Sequence, residues 1–227
     1  MKAEQAGFWY GVIFDLDGVL VDTGWAHKQA WYDLAEKEGF SMSDDFFYST
    51  FGMQNSQIIP MLLGPGLPAN EINRLSDWKE QRYREVIAEK LAPAEGVEML
   101  LQELKRQGFR LAIGSSAPRA NLELLLGRLH LHDYFDVCVT KEDVTDGKPS
   151  PETFLKAAAR LSLSPSRCAV VEDAVQGVQA GKAAGMKVVA VTTTRNRADL
   201  AKADMIVDSL AQLKAQDFAK LLTDRNA

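Results

Sequence analysis

Gly11-Val12-Ile13-Phe14-Asp15-Leu16-Asp17-Gly18 is the stretch that decides the fold. Its first residues are apolar without alternation and run straight into two aspartates and a glycine. A short run that is apolar on both faces suits a central parallel strand, covered on both sides, better than a half-exposed one. Similar runs recur at 110–114, 137–139, 168–171 and 187–191, with a weaker one at 205–207. Helical patterns lie between them at 94–107, 118–129, 151–161 and 174–185. Strand and helix alternate from residue 94 onward, which predicts an α/β fold: a Rossmann-like, doubly wound parallel sheet.

Residues 22–93 break that alternation. They read as helices only, at 26–38, 44–51, 56–63 and 70–91, divided by the breaker-rich Gly64-Pro65-Gly66-Leu67-Pro68 and closed by Pro93. The expected organisation is an α/β core of residues 1–21 plus 94–227 with an inserted all-helical cap at 22–93. Small residues from Gly177 to Gly185 are expected to let one helix lie close to the sheet.

The chain has 227 residues, 46% of them hydrophobic and 25% charged, with a net charge of −5. That is too apolar for disorder, and it offers no basic surplus for nucleic acid. No apolar run approaches the roughly 18 residues of a membrane span. Met1-Lys2-Ala3-Glu4-Gln5 lacks the apolar region of a signal peptide. A soluble, cytoplasmic, monomeric protein is expected, without nucleic-acid or membrane partners. Cys138 and Cys168 both sit in apolar runs and are expected to be buried, reduced thiols.

Open α/β sheets bind ligands outside the carboxyl ends of their strands. That rule gathers scattered polar residues into one site. The first strand ends at Asp15 and Asp17, the second at Ser115-Ser116, and the fourth at Glu172-Asp173, while Asp146-Gly147-Lys148-Pro149 follows the third. Each piece alone has an ordinary explanation: a turn, a helix-capping serine, an acidic helix start, a solvated lysine. Together, in sequence order, they form a candidate site. Clustered carboxylates call for a hard divalent cation bound through oxygen, and Mg²⁺ takes one or two of them while leaving room for a phosphate. A carboxylate nucleophile, a metal, a hydroxyl and an ammonium are the parts that phosphoryl transfer needs.

Phe14-Asp15-Leu16-Asp17-Gly18-Val19, Ile113-Gly114-Ser115, Gly147-Lys148-Pro149 and Val171-Glu172-Asp173-Ala174 resemble the four ordered motifs of the haloacid dehalogenase superfamily of hydrolases. The helical insertion after the first motif is similar to the cap of its first subfamily, particularly beta-phosphoglucomutase-like proteins. The resemblance implies that Asp15 attacks phosphorus and becomes an aspartyl phosphate, and that Asp17 is the acid and base. It places Mg²⁺ on the Asp15 and Asp173 carboxylates and the Asp17 carbonyl, with Glu172 acting through water. Ser115, Ser116 and Lys148 would hold the phosphoryl group. In the cap it points to His27 and Lys79 as substrate-facing residues. Asn55 stands where mutases of this kind carry an arginine for the distal phosphate, and its amide could serve a sugar hydroxyl or the following helix. Trp25 could line a sugar-like substrate. The implied function is a Mg²⁺-dependent phosphatase of small phosphorylated metabolites, sugar phosphates among them. The rival within the family is a beta-phosphoglucomutase-type isomerase. A phospho-acceptor signalling domain is disfavoured, because it has no use for Asp17 or a cap.

Overall fold

The computed structural model describes residues 10–223. Among them a six-stranded, all-parallel sheet is built from β1 (Gly11–Phe14), β2 (Arg110–Gly114), β3 (Val137–Val139), β4 (Cys168–Glu172), β5 (Lys187–Val191) and β6 (Met205–Val207). The spatial order is β3-β2-β1-β4-β5-β6. The chain winds outward from β1 in one direction, then returns to β4 on the other side. The gap between β1 and β4 is therefore the topological switch point, where such sheets leave a crevice. Phe14 pairs with Ile113 on one side and Val171 on the other, so Asp15, Gly114 and Glu172 come level at the sheet's edge.

Strand side chains alternate between faces, and here both faces are covered. Val12, Phe14, Leu111 and Ile113 join one buried cluster, under α5 (Val97–Arg106), α6 (Arg119–Leu129) and α9 (Ala215–Thr223). Ile13, Ala112, Val170 and Val188 join the other, under α7 (Glu152–Arg160) and α8 (Val175–Ala183). That explains why the strand sequences show no polar alternation. The helix α9 is an addition to the elements read from the sequence.

The insertion is helical throughout: α1 (Gly24–Glu38), α2 (Asp44–Thr50), α3 (Asn55–Leu63) and α4 (Ala69–Ile87). These helices have their own apolar cluster, centred on Trp31, Leu34, Phe47, Ile59 and Leu75. The chain leaves and rejoins the sheet at one place. Val21 bridges to Pro93, and the Ala94 N–H donates to the Leu20 carbonyl at 2.9 Å.

Both cysteines are free thiols. Cys168 is buried, whereas Cys138 is only half-buried, because β3 is an edge strand. Burial pushes their thiols up to about 12 and about 11 respectively, so neither is reactive at neutral pH. No helix among the described residues is long and apolar enough to cross a membrane.

Phe154 of α7 is fully buried against β2, with its ring 4.9 Å from the Lys148 ammonium. Phe154→Ala is expected to cost about 3–5 kcal/mol in urea unfolding, the transfer loss plus the cavity left behind. A loss below about 1 kcal/mol would mean that the ring is not holding α7 to the sheet.

Candidate active site

Four loops converge on the carboxyl edge of the sheet. Lys148, brought in by the loop between β3 and α7, is fully buried and donates to Asp15 Oδ1 at 2.6 Å and Glu172 Oε1 at 2.7 Å. The other Glu172 oxygen accepts the N–H groups of Asp173 and Ala174 at 2.8 and 2.9 Å. Two glycines make room for these acids. A Cβ on Gly18, whose φ is +81°, would lie 2.0 Å from Asp173 Oδ2. A Cβ on Gly177 would lie 1.7 Å from Glu172 Oε1, so this glycine seats a carboxylate rather than bringing the helix near the sheet.

Asp15, Glu172 and Asp173 bring their carboxylate oxygens within 4.8 Å of one another. Burial and the neighbouring Glu172 and Asp17 push the Asp15 carboxyl up to about 7, although Lys148 pulls against them. Burial, Glu172 and Asp15 raise Asp173 well above the carboxylate range. Burial opposes the charge on Lys148, yet the two carboxylates beside it outweigh burial and hold it protonated. Asp173 Oδ2 accepts from Thr194 Oγ1 at 2.6 Å, while its Oδ1 is buried with no hydrogen-bond partner. An oxygen-only cluster with surplus negative charge and a buried, unpartnered oxygen fits a hard divalent cation.

Asp17 stands apart from that cluster. It accepts from His27 Nε2 at 3.1 Å and from the Tyr83 hydroxyl at 3.3 Å. His27 Nδ1 lies 2.7 Å from the Lys79 ammonium. An ammonium can only donate, so Nδ1 is the acceptor and the proton sits on Nε2, facing Asp17. The imidazole stacks on Tyr83, with ring centroids 3.9 Å apart and planes 8° apart. Burial pushes the Asp17 carboxyl up, but His27 and its hydrogen bond pull harder, and the net shift is downward. Two aspartates two residues apart thus occupy opposite electrostatic environments.

Of the cap residues, His27 and Lys79 are buried and face the cleft. Asn55 also lines it, but its amide nitrogen is engaged, donating to Ser76 Oγ at 3.1 Å and Glu80 Oε1 at 2.7 Å. Trp25 is exposed, and Trp31 lines the cleft instead. In the core, Ser115 Oγ accepts the Ala117 N–H at 3.0 Å, leaving its own proton available to a ligand. Ser116 Oγ is buried with no partner. These groups bound a cleft that is partly open to solvent.

Thr194, Glu80, Lys141 and the Asp17 partner Tyr83 were not picked out from sequence. Thr194 follows β5 at the same sheet edge, so the rule that found Ser115 applies to it equally. Glu80, next to Lys79, looks like an exposed helix charge, yet it accepts from Lys79, Asn55 and, at 2.5 Å, Asn121 of α6. The helical period was the available signal, since Leu75, Lys79, Glu80 and Tyr83 share the buried face of α4. Lys141, after β3, also lines the cleft.

The chain belongs to the haloacid dehalogenase-like hydrolase family, which it matches over residues 12–191. A phosphorylated carbohydrates phosphatase from Thermotoga maritima is 35% identical over 180 residues, covering 78% of this chain and 82% of that protein. Beta-phosphoglucomutase from Bacillus subtilis is 35% identical over 188 residues, with coverage of 79% and 82%. The crystal structure of a beta-phosphoglucomutase from Clostridium difficile matches the fold with a TM-score of 0.85 at 30% identity, covering 94% of this chain and 96% of that one.

Glu80 supplies a test of the network that joins the inserted helices to α6. Burial raises its carboxyl, but Lys79, His27 and Asn121 outweigh burial and bring it to about 2, against an ordinary 4.5. A carboxyl depressed on folding adds stability above its unfolded value and loses it as pH falls through the folded value. Glu80→Gln is expected to lose on the order of 2–3 kcal/mol at pH 7 in urea unfolding, with the gap to wild type closing between about pH 4.5 and pH 2. A gap independent of pH would show that the charge on Glu80 is not its source.

Proposed function

We propose that this enzyme is a Mg²⁺-dependent phosphatase of small phosphorylated metabolites, sugar phosphates among them, working through an aspartyl phosphate. The observation that carries this is the pairing of Asp15 and Asp17 in one cleft with different partners: Lys148 for the first, His27 and Tyr83 for the second. Asp15 attacks phosphorus as the bond to the ester oxygen breaks, and the leaving alkoxide takes a proton from Asp17. Asp17 then removes a proton from water, which attacks phosphorus and releases inorganic phosphate and free Asp15. The depressed Asp17 carboxyl suits the base half of that cycle. Ser115, Ser116 and Lys148 hold the phosphoryl oxygens. Asp15, Asp173 and the Asp17 carbonyl, with Glu172 through water, are the groups that would hold Mg²⁺. When bound, it supplies positive charge against the transferring phosphoryl group. In this scheme residues 22–93 act as the cap that covers the leaving alcohol, in a cytoplasmic, monomeric enzyme.

The alternative is a beta-phosphoglucomutase-type isomerase, in line with two of the relatives. A mutase must grip the non-reacting phosphate of a bisphosphate, which a forked guanidinium does well. Asn55, where that arginine is expected, is neutral, and its amide donates to Ser76 and Glu80. A neutral hydrogen bond in place of a charge-assisted one costs about 1–2 kcal/mol, roughly tenfold in holding the intermediate. The balance favours hydrolysis.

Two experiments test the proposal. A panel of phosphorylated sugars, nucleotides and organic acids is expected to show phosphate release with Mg²⁺ and none in excess chelator. Interconversion of beta-glucose 1-phosphate and glucose 6-phosphate should be slow or absent. Rapid isomerisation with little free phosphate would overturn the assignment. In the second, Asp15→Asn is expected to abolish multiple turnover while keeping its wild-type circular dichroism, because an amide does not attack phosphorus. Sustained phosphate release from a folded Asp15→Asn protein, free of deamidation, would remove Asp15 as nucleophile.

A further inference from the structure

Three lysines stand at or beside the cleft, and two of them are charge-matched. Lys148 lies between Asp15 and Glu172, and Lys79 is bound to Glu80 and His27. Lys141 lines the cleft and is half-buried, and among the described residues its ammonium has no hydrogen bond, ion pair or ring contact. The acids beside it are taken. Glu142 accepts the Arg119 N–H at 3.0 Å and the Thr140 hydroxyl at 2.8 Å. Asp143 pairs with the guanidiniums of Arg119 and Arg160 at 2.8 and 2.7 Å. The Lys141 N–H donates to the Ala117 carbonyl at 3.1 Å, tying this residue to the loop that carries Ser115 and Ser116. The adjoining wall, Ala117 and Pro118, carries no counter-charge.

A half-buried ammonium without a partner has lost part of its hydration and gained nothing in return, so an arriving anion is favoured there. The transferring phosphoryl group already has Lys148, Ser115 and Ser116, which leaves the charge of Lys141 for the rest of the substrate. Resting on the phosphatase proposal, we infer that Lys141 is a specificity-determining residue that takes a second anionic group, carboxylate or phosphoryl, on the leaving alcohol. A single ammonium is a point charge without the two-pronged grip of a guanidinium. It orients an ester for hydrolysis and does not anchor a bisphosphate for reversal.

The test compares matched esters on the full-length enzyme with Mg²⁺. One arm pairs phosphoglycolate with ethyl phosphate, and the other pairs fructose 1,6-bisphosphate with fructose 1-phosphate. The readout is the ratio of kcat/KM for the acidic ester over its neutral partner. Lys141→Gln is expected to lower that ratio about tenfold or more in at least one arm, the loss of one charge-assisted hydrogen bond. Lys141→Arg should keep most of it. The arm that falls identifies the anion as carboxylate or phosphoryl. An unchanged ratio in both arms overturns the inference. Should no ester release phosphate, the phosphatase proposal fails on its own. Titration calorimetry of the same esters into Asp15→Asn, with and without Lys141→Gln, then judges Lys141 by affinity, and an unchanged affinity ratio again overturns it.

Discussion

One ammonium, held between Asp15 and Glu172 where the two central strands end, organises everything around it. Lys148 is fully buried with carboxylates at 2.6 and 2.7 Å, and Asp173 lies in the same cluster. Taking charges out of water costs several kcal/mol per ion, repaid only when partners and hydrogen bonds are well placed. The placement therefore constrains two separate segments. The loop before α7 must reach the switch point, and the entry to α8 must both leave space at Gly177 for the Glu172 carboxylate and turn the Asp173 and Ala174 N–H groups toward it. Even so, one cation faces three acids. The residual negative charge makes a divalent cation the natural complement, and it shows in the raised carboxyls of Asp15 and Asp173.

The insertion solves a different electrostatic problem. Asp17, two residues from Asp15, takes its partners from the helical layer: His27 on α1 and Tyr83 on α4. His27 is oriented in turn by Lys79, Lys79 by Glu80, and Glu80 by Asn121 on the core helix α6. A polar chain thus runs from the sheet edge into the inserted helices and back to α6, along the buried face of α4. The result is a pair of carboxyls shifted in opposite directions, Asp15 up and Asp17 down. The raised Asp15 carboxyl reflects the excess of buried acid around it, which a bound cation would offset, while the depressed Asp17 is held ionised, as the water-activating step requires.

The core was legible in the sequence because its signals are local. Runs such as Gly11–Phe14 lack alternation since both faces of the sheet are covered, and the residues after each run must fall on one edge. Asp15, Ser115, Lys148, Glu172 and Asp173 follow from that rule, and Thr194 was within its reach. The insertion was legible as helices but not as contacts. Nothing local in Lys79-Glu80 separates a buried ion pair from an exposed one, since both residue types usually face water. Only their place on the same face as Leu75 and Tyr83 marks them as internal. Asn55 could be recognised as a departure from an arginine, whereas its bonds to Ser76 and Glu80 depend on how α3 meets α4. Trp25 and Trp31 show the same limit, because helical phase decides which ring reaches the cleft.

Where the unsatisfied groups fall completes the picture. Buried polar side-chain atoms normally find partners, and each exception calls for a reason. Among the described residues the exceptions are atoms of Thr23, Gln54, Ser116, Asp173, Gln176 and Arg195. Every one follows a strand's carboxyl end or opens a helix of the insertion or of the core beside it, and none lies within a strand. The two apolar clusters flanking the sheet are free of such atoms, so they can be rigid, and their rigidity fixes the positions of the strand ends. Among the described residues, Ser116 and Asp173 bring part of this unmet hydrogen-bonding capacity to the crevice at the switch point. There it can be met by a cation, a phosphoryl group or water, and the free energy of meeting it is available for binding. A site of this kind recognises charge and oxygen first, and leaves the shape of the alcohol to the apolar wall of Trp31, Phe47 and Phe51.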